Sequence, residues 1–180
     1  MGQDPGSNRP PRRATASGAQ FKRVLGSLLT ASVRYPDLKQ RIDAMDEQQR
    51  YPFDELLAVL TRIHEDLPNG AVSRIGARLY EQSRPLLEQR GIRTPDEVLR
   101  DVALAFSAIA EGVPAHDGIV TERHELGRAV VVASAALPLP LVEGYLRAVV
   151  TLAGSFVREI GFFPLVREGR RFRRIEITYE

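Results

Sequence analysis

The chain contains no cysteine among its 180 residues. That removes disulfides, thiolate metal sites and cysteine nucleophiles, and it agrees with a reducing compartment. Lysine is nearly absent as well: Lys22 and Lys39 are the only two, so the formal net charge of +2 rests on arginine. The arginines are spread along the chain among similar numbers of acids, which does not make a phosphate-tracking stripe, and specific nucleic-acid binding is not expected. No apolar run reaches the ~20 residues that cross a bilayer, and no hydrophobic segment follows a basic start as in a secretory signal. A cytoplasmic protein without a membrane span is expected. Hydrophobic residues make up 43% of the chain, enough at this length for one well-buried domain.

The longest apolar segments flank a sharp break between Gly127 and Gly154, and the rest of the chain is arranged around that stretch. Ala129 to Leu137 carries no charge and is mostly small or β-branched, which predicts a central strand covered on both faces. Leu137-Pro138-Leu139-Pro140 ends it, and Pro140 suits the first turn of a helix. In that helix Leu141, Tyr145, Ala148, Val149 and Leu152 share one face, and Gly154 is a C-terminal stop.

Before this stretch the pattern is helical. Residues 1–19 are rich in Gly, Pro, Ser and Arg and read as a disordered tail, leaving residues 20–180 as a single α+β domain. Apolar spacing predicts about five helices: 21–33, 37–44, 52–66, one from Val72 closing at Gly91, and one opened by the capping box Thr94-Pro95-Asp96-Glu97. Pro85 should kink the fourth. After them, Ile119 to Leu126 predicts a strand. Phe156–Val166 and Arg171–Tyr179, joined through Glu168-Gly169, predict a hairpin whose last strand packs Ile175, Ile177 and Tyr179 and exposes Arg174, Glu176 and Thr178. The expected architecture is a helical layer on a small, mostly antiparallel sheet, with a strand-strand-helix-strand-strand C-terminal half.

No constellation names a reaction, and no catalytic residue is assigned. His64 falls at the edge of the third helix's apolar face without a second ligand spaced to it. His116 and His124 lie near Asp117, Glu122 and Glu125, but no spacing completes a metal set, so no metal is expected. Arg170, Arg171, Arg173 and Arg174 form the densest basic patch, a solvated face or a surface for an acidic partner. A ligand, if present, is expected above the alanines of strand 129–137, facing the fourth and fifth helices. Tyr80, Arg84 and Tyr145 are the polar groups beside that space, with Arg84 able to grip a carboxylate or phosphate.

The order of elements, with Tyr51-Pro52-Phe53, Ile75-Gly76-Ala77-Arg78 and Leu139-Pro140-Leu141-Val142-Glu143-Gly144-Tyr145-Leu146-Arg147, resembles the fold shared by haem-nitric-oxide-binding domains, 4-vinyl-reductase-like domains and Bet3-type tether subunits. It is nearest to bacterial members of unknown function. The likeness spans Phe21 to Glu180. Haem-binding members are similar in using a helical histidine and a Tyr-x-Ser-x-Arg string. Here Tyr80-Glu81-Gln82-Ser83-Arg84 has those residues at another spacing, and the fifth helix has no histidine. The resemblance therefore implies a non-catalytic signalling or protein-interaction module without a cofactor, which either holds a small apolar or anionic ligand or associates with itself or a protein partner. Two alternatives are a haem gas sensor using His64 and an enzyme acting on a tetrapyrrole-like substrate.

Overall fold

In the computed structural model, which describes residues 13–180, the first paired element already departs from expectation. β1 (Thr15–Ser17) runs antiparallel to β2 (Arg50–Pro52), and Ala16 between them is fully buried. The tail expected over residues 1–19 therefore stops short. Residues 1–12 lie outside the described residues, and from Thr15 the backbone is fixed, with its N–H donating to the Glu111 carbonyl at 2.9 Å.

The single helix expected over 21–33 is two: α1 (Gly18–Gly26) and α2 (Ala31–Arg34). Phe21, Val24 and Leu25 reach the core, but past Gly26 the chain turns and leaves Leu29 and Val33 in water. α3 (Pro36–Asp43) starts at its proline, whose missing N–H has no partner to lose there. α4 (Phe53–Asp66) buries Phe53, Leu56, Val59, Leu60 and Ile63, the stripe its spacing dictates. α5 (Asn69–Gln89) stays continuous through Pro85.

α6 (Pro95–Arg100) carries the expected capping box: Thr94 Oγ1 accepts the Glu97 N–H at 3.3 Å, and Glu97 accepts the Thr94 N–H at 3.0 Å. The apolar spacing of Val98, Leu99, Val102, Ala105, Phe106 and Ile109 predicts one helix to about residue 109, but α6 ends at Arg100. Asp101 accepts the Leu104 N–H at 3.1 Å, acting as a second N-cap that starts α7 (Val102–Phe106).

The C-terminal half comprises β3 (Ile119–Glu125), β4 (Arg128–Ser134), α8 (Leu139–Thr151), β5 (Val157–Arg167) and β6 (Arg170–Tyr179). The four strands form an antiparallel sheet in the order β3-β4-β6-β5. α8 ends where expected, with Gly154 at φ +82 and the Ser155 N–H returning to the Val150 carbonyl at 3.2 Å.

β4 is covered on both faces, by different means. Ala129, Val131 and Ala133 lie opposite Ile177, Ile175 and Arg173, and the two isoleucines join them in the helical core. Val130 and Val132 point the other way yet are also buried. On that outer face Arg174 pairs with Glu122 at 3.5 Å and with Glu176, Arg128 pairs with Glu176 at 3.1 Å, and Arg167 pairs with Glu122. Arg123 lies across the sheet from Val130 and Arg174 from Val132, positions from which an apolar stem shields a valine while the charged head stays wet. The Arg167 hydrogen bond is the main reason the Glu122 carboxyl lies below the usual glutamate range.

Candidate functional site

α8 is buried on two sides, and its two stripes do different work. Val142, Leu146, Val149 and Val150 belong to the same core cluster as the inward residues of β4 and β6. Gly144 meets α5 so closely that a Cβ there would lie 2.6 Å from the Ser73 carbonyl carbon. Gly76 answers from α5, where a Cβ would lie 2.9 Å from both the Leu141 carbonyl carbon and the Tyr145 nitrogen. The crossing is therefore backbone on backbone, which only residues without a side chain permit.

Beside that crossing the aromatic residues meet edge to face. Tyr80 of α5 and Tyr145 of α8 have ring centroids 5.5 Å apart; Tyr145 then meets Phe106 of α7 at 6.4 Å, and Phe106 meets Phe53 of α4 at 6.2 Å. Such contacts add to burial through the ring quadrupoles. Burial pushes the phenols of Tyr80 and Tyr145 up, and the Tyr145 hydroxyl has no hydrogen-bond partner among the described residues. A buried donor left unpaired costs about 1–3 kcal/mol.

Of the four site residues drawn from the sequence, the structure brings Tyr80 and Tyr145 together, keeps Arg84 one turn further along α5 with its own partners, and leaves His64 elsewhere. Arg84 donates to Glu88 at 2.6 Å on its own helix and, across to the end of α8, to the Leu152 carbonyl at 2.8 Å. His64 is in the last turn of α4, about 16 Å along the helix axis from Phe53. It is half-buried, and its Nδ1 has no partner among the described residues.

The remaining histidines serve other contacts. His116 lies 3.2 Å from Asp117 near the surface. His124 Nε2 is 3.1 Å from Asp96 Oδ1, the same oxygen that accepts the Tyr179 hydroxyl at 2.7 Å and the Gly127 N–H at 3.2 Å. Asp96 thus ties the start of α6 to the β3–β4 turn and the end of β6. Burial, then the bond to Asp96, raises the Tyr179 phenol. Among the described residues no three His, Cys, Asp or Glu side chains come together as a metal site. Sequence reasoning missed Asp96, read only as part of a helix start; its partners lie far along the chain, so nothing local signals them.

A second place was not foreseen either. Between the β5–β6 hairpin and the first turn of α8 opens a cleft of about 680 Å³, lined by Leu139, Phe162, Pro164, Phe172, Arg171 and Arg173 among others.

No protein-family model and no curated protein matches the chain. Among solved structures it is similar to the Fe(II) unliganded H-NOX protein from K. algicida, with a TM-score of 0.63 at 12% identity over 91% of this chain and 97% of that one. A mutant of that protein gives 0.62 at 15% identity with the same coverage. An H-NOX protein from S. oneidensis in the Fe(II)NO state gives 0.58 at 12% identity over 91% of this chain and 99% of its own. At these identities the likeness concerns architecture, and the chain has an H-NOX-like α+β fold.

Proposed function

We propose that this protein is a non-catalytic regulatory or interaction module of a bacterial signalling system that works without haem, paired with itself or with a protein partner. The observation that carries this reading is the filled layer of Phe53, Phe106, Tyr145 and Tyr80 beside the α5–α8 crossing. A flat macrocycle there would have to displace rings that already touch one another, and α6 and α7 offer no imidazole to hold its iron. The residues present do not fit haem at that layer. Self-association through the helical layer is supported by Leu29 and Val33, large apolar side chains exposed at 103% and 84% on that side of the chain.

The haem-sensor alternative rests on one observation, the unpartnered Nδ1 of His64. Native mass spectrometry of freshly purified protein separates the two readings. Dimers without a porphyrin adduct are the expected result. A one-to-one haem adduct would overturn the proposal in favour of the haem-sensor reading, and a monomer at high micromolar concentration would remove self-association.

A further inference from the structure

The sheet treats its arginines in two ways. Arg123, Arg128, Arg158, Arg167 and Arg174 each face a carboxylate. Arg170, Arg171 and Arg173, grouped at the tip of the β5–β6 hairpin, have no carboxylate partner among the described residues. Arg173 is the telling one. It lies on the inward face of β6 opposite Ala133 and is half-buried, and its Nη1 donates to the Leu137 carbonyl at 2.6 Å. That bond fixes the guanidinium beside the turn into α8, but a carbonyl supplies only partial charge. A guanidinium drawn partly out of water without an anion is held at a cost. Burial alone keeps it below the usual arginine range.

The cleft beside Arg173 follows from strand lengths. β4 stops at Ser134, opposite Phe172, while β5 and β6 continue to Arg167 and Arg170. Past Phe172 the β4 ladder gives way to one bond from the chain after it, the Ala135 N–H donating to the Arg171 carbonyl at 3.2 Å, and Leu139 closes the space from α8. The resulting volume of about 680 Å³ falls within the range of about 300–1,000 Å³ typical of small-molecule sites. Its lining is apolar apart from Arg171 and Arg173, which lie across the hairpin from Val166 and Pro164. An apolar cleft with two arginines in its lining complements an amphiphile of opposite charge.

We propose that this cleft binds a small amphipathic carboxylate. Its apolar chain or ring lies against Phe162, Pro164 and Leu139, its carboxylate pairs with Arg173, and Arg171 stands at the mouth. Planar guanidinium groups suit a two-point grip on a carboxylate.

Calorimetric titration of the full chain with decanoate, with decyltrimethylammonium as the charge-reversed probe and acetate as the headgroup alone, tests this. Decanoate should bind one to one, and neither other probe should bind there. Arg173→Gln and Arg171→Glu should each weaken decanoate by about tenfold or more. Because Arg173 also holds the Leu137 carbonyl, Arg171→Glu, at an exposed position, is the deciding variant if Arg173→Gln fails to fold. Decanoate affinity unchanged in Arg171→Glu, equal binding of the ammonium, or no decanoate binding would each overturn the proposal. None of these outcomes touches the haem-free reading, which stands or falls on the porphyrin adduct.

Discussion

The α5–α8 crossing and the hairpin-tip cleft both involve α8, and they are built in opposite ways. At the crossing, glycines let two backbones touch, and small residues are consumed by closeness. At the helix's first turn the neighbouring strands outrun β4, and large side chains surround open volume. Small residues therefore do not by themselves mark a pocket. What makes room here is a mismatch in element length, and what marks it chemically is a set of arginines without carboxylates.

Substitutions can break or sharpen this contrast. The largest effect belongs to Gly144→Ala, because the new methyl would meet the rigid Ser73 carbonyl rather than a movable side chain. Overpacking costs about 1–3 kcal/mol and occasionally more, and this contact belongs at the upper end. Chemical denaturation should show a loss of about 3 kcal/mol or an unfolded product. A well-folded variant would mean the helices can separate freely. Next comes Ala133→Phe on the inward face of β4, where Ala133 is fully buried; a loss of about 1–3 kcal/mol is expected if that space is filled. Little loss would reveal a cavity above the strand, where the sequence places a ligand.

Asp96→Ala should cost about 2 kcal/mol in the same assay, since it leaves the buried Tyr179 and the Gly127 N–H without their acceptor. A neutral result would show that water replaces the carboxylate. The smallest effect is that of Tyr145→Phe, which removes a hydroxyl with no partner and should be neutral or stabilising by up to about 1 kcal/mol.

The same variant has a pH signature. Because burial raises the Tyr145 phenol above the ordinary value of about 10, the unfolded state loses its proton first as the solution turns alkaline. Its contribution is fully present below about pH 10 and falls as pH rises toward the folded value. Wild-type stability should therefore drop more steeply above about pH 10 than that of Tyr145→Phe. Parallel curves would place the phenol in contact with water.

Much of the architecture was legible because it rests on periodicity. α4, α5, α8 and the last hairpin carry patterns that local spacing alone dictates, and the Thr94 capping box is local chemistry. The misses are of another kind. β1 and β2 are three-residue strands that exist only because distant segments meet. The break at Asp101 was readable in principle, since aspartate is a good N-cap, but the apolar spacing through Phe106 masked it. At the candidate site, the sequence brought forward Tyr80 and Tyr145, which meet, while Arg84 pairs with Glu88 on its own helix and with the Leu152 carbonyl instead. The basic cluster at residues 170–174 was visible as composition. Its division into paired Arg174 and unpaired Arg173 depends on strand register, because adjacent residues of β6 face opposite sides of the sheet.

The proposal that this H-NOX-like fold works without haem is tested most directly by the visible absorption spectrum. Purified protein incubated with haem and then desalted should be colourless, with no stoichiometric Soret band. A Soret band that survives desalting and disappears in His64→Ala would contradict the account.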